Sequence, residues 1–309
     1  MMQATVAQEL AVLCSVTYAS LFDYPLTLAQ LRESLIGEPA DERTITEWLA
    51  TSALLQTTIE QQDGLYFPRG RRDLLATRTR REALSRELLD RDRRILRFLS
   101  RLPFVRMVAL SGSLAHLNAE GGSDLDLFVI TSPGRVWCVT LFVLIVARLR
   151  GWRRRLCLNY VVSERNLAIE PPDLFSANQI IHLRPVTGES IYRRFLAANP
   201  FVTGHYPNFS PRRIDALAGA ARPRRVTTLL EGALSIGLAP LADRASRFLY
   251  GWHLRRRSTA WKSRDQVRLE RECLKLHTSS HRADTMARYE AALEGALATT
   301  PPKRMVRTG

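Results

Sequence analysis

Lysine is nearly missing from this chain: of 45 basic residues, only Lys262, Lys275 and Lys303 are lysines. The formal charge of +15 is therefore an arginine charge. So one-sided a choice reflects coding bias as readily as an anionic partner, although it still favours phosphates, nucleotides or RNA through long-range attraction. Cysteine is scarce as well. Cys14, Cys138, Cys157 and Cys273 are far apart and none forms a C-x-x-C pair, which argues against a zinc site or a disulfide framework and points to a reducing compartment. Long apolar runs are absent too. The most apolar segment, Val136 to Ala147, is closed by Arg135 and Arg148 and is too short to cross a bilayer. The N-terminus lacks a basic region and carries Glu9 ahead of its apolar residues, so no signal peptide is expected. Together these absences predict a cytoplasmic protein with no membrane partner.

What is present is ordinary globular material. The 309 residues are 46% apolar and 24% charged, enough to build a core and to divide into two or three domains. Residues 1–70 read as three helices and a hairpin, with Thr27 and Asp41 as N-caps and Asp63-Gly64 as a two-residue hairpin turn. In the third helix, "DERTITEWLATSALL", Ile45, Leu49 and Trp48 face inward. Three helices followed by a hairpin is the order of a winged-helix domain. Residues 71–103 read as one long connecting helix with leucines on one face and arginines on the other. From Phe104 the pattern turns to α/β alternation: strand "FVRMVALSG", strand "SDLDLFVIT", the apolar helix, then strand "RLCLNYVVS", a core of 104–185. Residues 186–298 read as helical, Pro240 breaking one helix, and 299–309 as a disordered tail. The fold class expected is α+β.

The chemistry concentrates in "LSGSLAHLNAEGGSDLDLFVIT", Leu110 to Thr131. Ser111-Gly112-Ser113 makes a tight turn into a short helical run, where backbone N–H groups and the Ser113 hydroxyl can receive a phosphate. Asp124 and Asp126 are two apart at the start of a strand and so share a face. Two adjacent carboxylates repel unless a cation lies between them. Mg²⁺ suits that position, because it binds through one or two carboxylates plus substrate phosphates.

Gly-Ser followed by Asp-Leu-Asp resembles the signature of the DNA polymerase β-like nucleotidyltransferase superfamily, hG[GS] with a spacer and then Dh[DE]h. The resemblance covers about a quarter of the chain, roughly Phe104 to Leu183. It implies a mixed sheet with flanking helices, a nucleoside triphosphate (ATP the expected one) at Gly112, Ser113 and Ser123, and Mg²⁺ or Mn²⁺ on Asp124 and Asp126. Two departures stand out. Many members have Arg-Gly where this chain has His116-Leu117, so the loop after the cradle is expected to be reshaped. Members that transfer nucleotides place a third acidic residue on a neighbouring strand, where this chain offers Asn159. Asparagine can orient a hydroxyl but cannot accept a proton. Glu164 and Asp173 are the carboxylates that could substitute.

Two functions stay open on this reading. One is a nucleotidyltransferase acting on RNA, a protein or a small molecule, with Asp124, Asp126 and Asn159 as its catalytic set. The other is an inactive nucleotide-binding regulator whose winged helix contacts DNA or a partner protein. Asp41, Glu42 and Glu47 in the presumed recognition helix oppose DNA, leaving Arg69, Arg71 and Arg72 as the better contacts. The Arg153-Arg154-Arg155 cluster is a candidate triphosphate partner or a plain turn, and Arg135 is a candidate functional residue or a cap of the apolar helix. His277 and His281 share a face if one helix runs through both, but no acidic or cysteine partner stands at ligand spacing.

Overall fold

Thr5 and Gln8 close a capping box, each side chain accepting from the other's backbone N–H, and α1 (Val6–Ser20) starts there because two otherwise orphaned donors are satisfied. The same device at Thr27 and Gln30 starts α2 (Leu28–Glu33), directly after the short strand β1 (Leu26–Thr27). Asp41 caps α3 (Glu42–Thr51) through the N–H of Thr44. The helix expected to run on through Leu55 instead stops, because the Ser52 side chain caps a new one, α4 (Ala53–Thr58). β2 (Ile59–Gln62) and β3 (Leu65–Pro68) then pair antiparallel. Asp63 and Gly64 both have positive φ, +53° and +74°, the two-residue turn that the Asp-Gly pair predicts. β1 joins β3 from the other side, giving a three-stranded sheet in the order β1-β3-β2.

The computed structural model describes residues 4–215, 217, 231–234, 238–276 and 281–298, a mixed α+β protein in two units. The first unit takes residues 4–80, 201–210 and 281–298. Its core joins Val12, Leu31, Ile45 and Trp48. α12 (Arg282–Ala298) closes that core with Leu293 and Ala296, and Tyr289 lies 5.2 Å from Tyr18, ring to ring. Helix α5 (Asp73–Leu99) is the long helix expected, but it is more than a connector. Leu74 is buried in the first unit, and Leu88, Leu89, Ile95, Leu96 and Leu99 belong to the core of the second.

The second unit is built on a six-stranded sheet, β7-β4-β5-β6-β9-β8. In chain order these are β4 (Val105–Leu110), β5 (Leu125–Thr131), β6 (Leu156–Ser163), β7 (Arg184–Thr187), β8 (Val267–Leu269) and β9 (Cys273–Leu276). Only β5 and β6 are parallel. They are joined over one face by α7 (Val136–Leu149). α6 is the single turn Gly112–Ala115, while α8 (Leu174–Ile181) and α9 (Glu189–Ala197) lie between β6 and α10 (Phe201–His205). α11 (Leu238–Arg256) packs on α7. One sheet face, carrying Leu125, Leu127, Val129, Leu156, Leu158, Val161 and Leu274, is buried with residues of α5 and α7.

One expectation needs correction. Residues 186–298 are not all helical: β8 and β9 form a hairpin that extends the sheet beyond β6. Their Val-Arg-Leu and Cys-Leu-Lys-Leu alternation suits strands, but the pairing partner is more than a hundred residues away in sequence, beyond any local pattern. β7, on the opposite edge, also went unpredicted. Pro240 lies in the first described turn of α11, and residues 235–237 before it are outside the described residues. The tail 299–309 lies outside the described residues.

Candidate active site

β4 delivers the chain to Ser111, whose N–H donates to the carbonyl of Asp126 at 2.9 Å. Gly112 follows with φ +63°, and a Cβ built there would overlap the Asp126 carboxylate, lying 3.1 Å from its Cγ. The glycine is thus required twice, once by its conformation and once by its neighbour. It brings the backbone of the Gly-Ser turn directly against one of the two aspartates. α6 is only one turn long, so backbone N–H groups and hydroxyls matter here more than a helix dipole. The Ser113 and Ser123 hydroxyls stand 3.4 Å apart, and Ser123 Oγ accepts from Glu120 N at 3.0 Å.

The intervening loop is tied down at several points. Asn118 N donates to the Ser113 carbonyl (2.9 Å), and Ala119 N donates to Oγ of buried Ser85 on α5 (2.9 Å). Arg81, also on α5, pairs with Glu120. The expected reshaping at His116-Leu117 does not take the form of a lost left-handed residue, because Leu117 itself adopts φ +58°. Its side chain packs against the core, which offsets a backbone conformation that L residues avoid. His116 is half-buried, its ring centroid 3.9 Å from that of His182. Burial holds His116 near pKa 4 and His182 well below its ordinary value, so both are neutral at pH 7.

Asp124 is exposed and Asp126 half-buried, on the sheet face opposite the large core. Burial first, and the Asp124 charge second, push Asp126 up to about 6. β6 provides the third position. Asp126 pairs with Cys157 but Phe128 pairs with Tyr160, so β6 holds one residue more than β5 across that interval. This bulge puts both Asn159 and Tyr160 on the aspartate face, the re-aiming that bulges beside sites commonly perform. Asn159 Nδ2 donates to Asp126 Oδ1 (3.2 Å), and Cys157 Sγ donates to Asn159 Oδ1 (2.9 Å). Burial, then Asp126 and Asp124, raise the Cys157 thiol to about 12, so it stays protonated and can donate.

Neither reserve carboxylate replaces Asn159. Glu164 lies at the far end of β6, about 20 Å along the strand from the aspartates, and pairs with Arg106 and Arg194. Asp173 caps α8 through the N–H of Ser176. The candidate triphosphate arginines are partly committed as well. Arg155 Nη1 binds fully buried Asp92 at 2.7 Å, while Arg153 and Arg154 are exposed. Arg135 lies over the Phe104 ring at 5.1 Å. It does not cap α7, a role taken by Asp243, which accepts from the N–H groups of Trp137 and Cys138. In the first unit Arg71 pairs with Asp23 and Asp73, Arg72 with Glu60, and Arg69 with the Gln56 carbonyl. His281 precedes α12 outside any helix, and His277 is outside the described residues.

Sequence reasoning missed Lys275 and Cys157. Lys275, on β9, is paired in register with Tyr160 and therefore shares the aspartate face. It is 7% exposed; its Nζ lies 5.3 Å from the Tyr160 ring centroid and 3.4 Å from Gln266 Oε1. Burial, then Arg268, lower its pKa. Its rarity as one of three lysines was the available signal, but reading 264–276 as helix hid which face it occupies.

Among the described residues no three His, Cys, Asp or Glu side chains gather closely enough to hold a metal by themselves. Two carboxylates beside the Gly-Ser turn would fit Mg²⁺ shared with a triphosphate. They do not fit a cation held by protein alone. Comparison with protein-family models, with curated proteins and with solved structures found no match to this chain.

Proposed function

We propose that the second unit is a polymerase β-like nucleotidyltransferase core that binds a nucleoside triphosphate, ATP the first candidate, with Mg²⁺ or Mn²⁺. The observation that carries this reading is the packing of Gly112 against Asp126, which supports a site shared by the Gly-Ser turn and that aspartate. The backbone at Gly112 and the Ser113 and Ser123 hydroxyls hold phosphate oxygens. Asp124 and Asp126 hold the cation, which when bound offsets charge on the transferring group. Lys275 adds a buried positive charge on the same face. Asn159, held by Cys157, orients the acceptor hydroxyl. That oxygen bonds to the α-phosphorus, the bond to the bridging oxygen breaks, pyrophosphate leaves and the acceptor proton passes to water. The first unit has the helix and strand order of a winged helix, and its arginines near the hairpin make internal ion pairs, so protein docking suits it better than DNA.

A second reading, nucleotide binding without transfer, is favoured by one observation: the third position is an amide, and Glu164 and Asp173 are engaged elsewhere. One experiment separates the two. The full chain is incubated with each labelled triphosphate, Mg²⁺ or Mn²⁺ and a cell extract supplying RNA, proteins and metabolites, beside an Asp124→Ala/Asp126→Ala variant. Label transfer by the wild type alone supports the enzyme. Binding without transfer leaves the regulator, and no binding of any triphosphate overturns both. Lys275→Ala is expected to weaken triphosphate binding about tenfold, as loss of one buried charge-assisted contact would; unchanged affinity removes Lys275 from the site.

A further inference from the structure

α11 is inside out. Its fully buried positions are Ala239, Asp243, Ser246 and Gly251, small or polar; Tyr250 and Leu254 pack partly against the core, whereas its other large apolar residues face solvent. Leu238, Leu241, Phe248, Leu249 and Trp252 are 68%, 63%, 70%, 59% and 49% exposed. At 100° per residue these five, with Ala245, fall on one stripe about 100° wide, which Arg256 enters at its C-terminal end. A helix that only had to pack on α7 would carry the opposite pattern. Neighbouring α7 exposes Phe142, Ile145 and Leu149 as well.

We propose that this face docks on the surface of an anionic lipid bilayer. The charge around the stripe selects that occupant. Exposed Arg244, Arg247, Arg255, Arg256 and Arg257 surround it. The one acid of 238–257, Asp243, is turned inward onto the N-terminus of α7. Arg256 stacks on Trp252 at 3.8 Å, joining a cation to the aromatic ring that favours the headgroup region. A second copy of the chain would set these arginines against one another. Single-stranded RNA would use the arginines and the two aromatics, but three exposed leucines offer no stacking surface. Arginines interrupt the stripe, and no described helix is long and apolar enough to cross a membrane, so α11 lies along the surface. This departs from the expectation of no membrane partner, which rested on the lack of a spanning segment.

The test is co-sedimentation of the full chain with vesicles of phosphatidylcholine alone and of phosphatidylcholine mixed with phosphatidylglycerol. Binding is expected only to the mixed vesicles, weakening as salt rises. Phe248→Ser/Trp252→Ser should lower it about tenfold, with circular dichroism and Tm unchanged. Should that variant misfold, the single Leu241→Ser and quenching of Trp252 by brominated lipid, read against Trp252→Phe, serve instead. Failure of the wild type to bind mixed vesicles overturns the proposal, as does equal binding by the variants. A wild-type dimer that Phe248→Ser/Trp252→Ser turns into monomer assigns the face to a second copy, and RNA binding lost with the same residues while vesicles are ignored assigns it to RNA. Either result overturns it.

Discussion

At the scale of single residues, the site depends on one missing side chain. Gly112 has φ +63° and no room for a Cβ beside the Asp126 carboxylate. Gly112→Ala is therefore expected to cost about 1–3 kcal/mol of stability and to abolish triphosphate binding, checked by urea unfolding and by isothermal titration. Leu117 shows the reverse situation, an L residue kept in left-handed backbone because its side chain is packed. The two aspartates and the Gly-Ser turn were legible in sequence because spacing and strand alternation are local. That Asn159 bonds Asp126 was not, since it needs the bulge in β6, which appears only when β6 pairs with β5.

At the scale of elements, two helix starts were readable and others, α4 and α7 among them, were not. Thr27 and Asp41 cap the helices that follow them, as a local side chain can. α7 has no local cap: its first N–H groups, at Trp137 and Cys138, are satisfied by Asp243 of α11 at 3.0 Å each. Asp243→Ala removes both bonds at a buried site and should cost about 1–3 kcal/mol, whereas Asp243→Asn, which keeps an acceptor oxygen, should cost less. Thermal unfolding of the two variants beside the wild type measures the difference. Equal, negligible losses would mean water caps α7 as well as Asp243 does.

At the scale of the whole molecule, acid sensitivity follows from the two adjoining imidazoles. His116 and His182 are neutral when folded and have depressed pKa values, near 4 for His116, through burial first, with Arg212 opposing protonation of both. The unfolded chain binds protons on each below about pH 6.5, so the stability they allow is complete above that pH. It falls as the medium is acidified towards 4, by up to about 1.4 kcal/mol per pH unit for each histidine. His116→Gln/His182→Gln should flatten that slope relative to wild type in urea unfolding between pH 4 and 7. Titration of Asp126 runs in the opposite sense but is common to both proteins and cancels in the comparison.

The sequence by itself determined the α+β class, the N-caps at Thr27 and Asp41, the Asp-Gly hairpin and the approach of the Gly-Ser turn to Asp126. All of these rest on residues within about fifteen positions of one another, where backbone sterics and side-chain alternation decide. Tertiary structure alone decided the sheet edges β7 and β9, the arrival of Lys275 on the aspartate face, the engagement of Glu164 and Asp173 elsewhere, and the outward turn of the α11 leucines. Each depends on which distant strand or helix supplies the other half of a contact, and no local pattern carries that information.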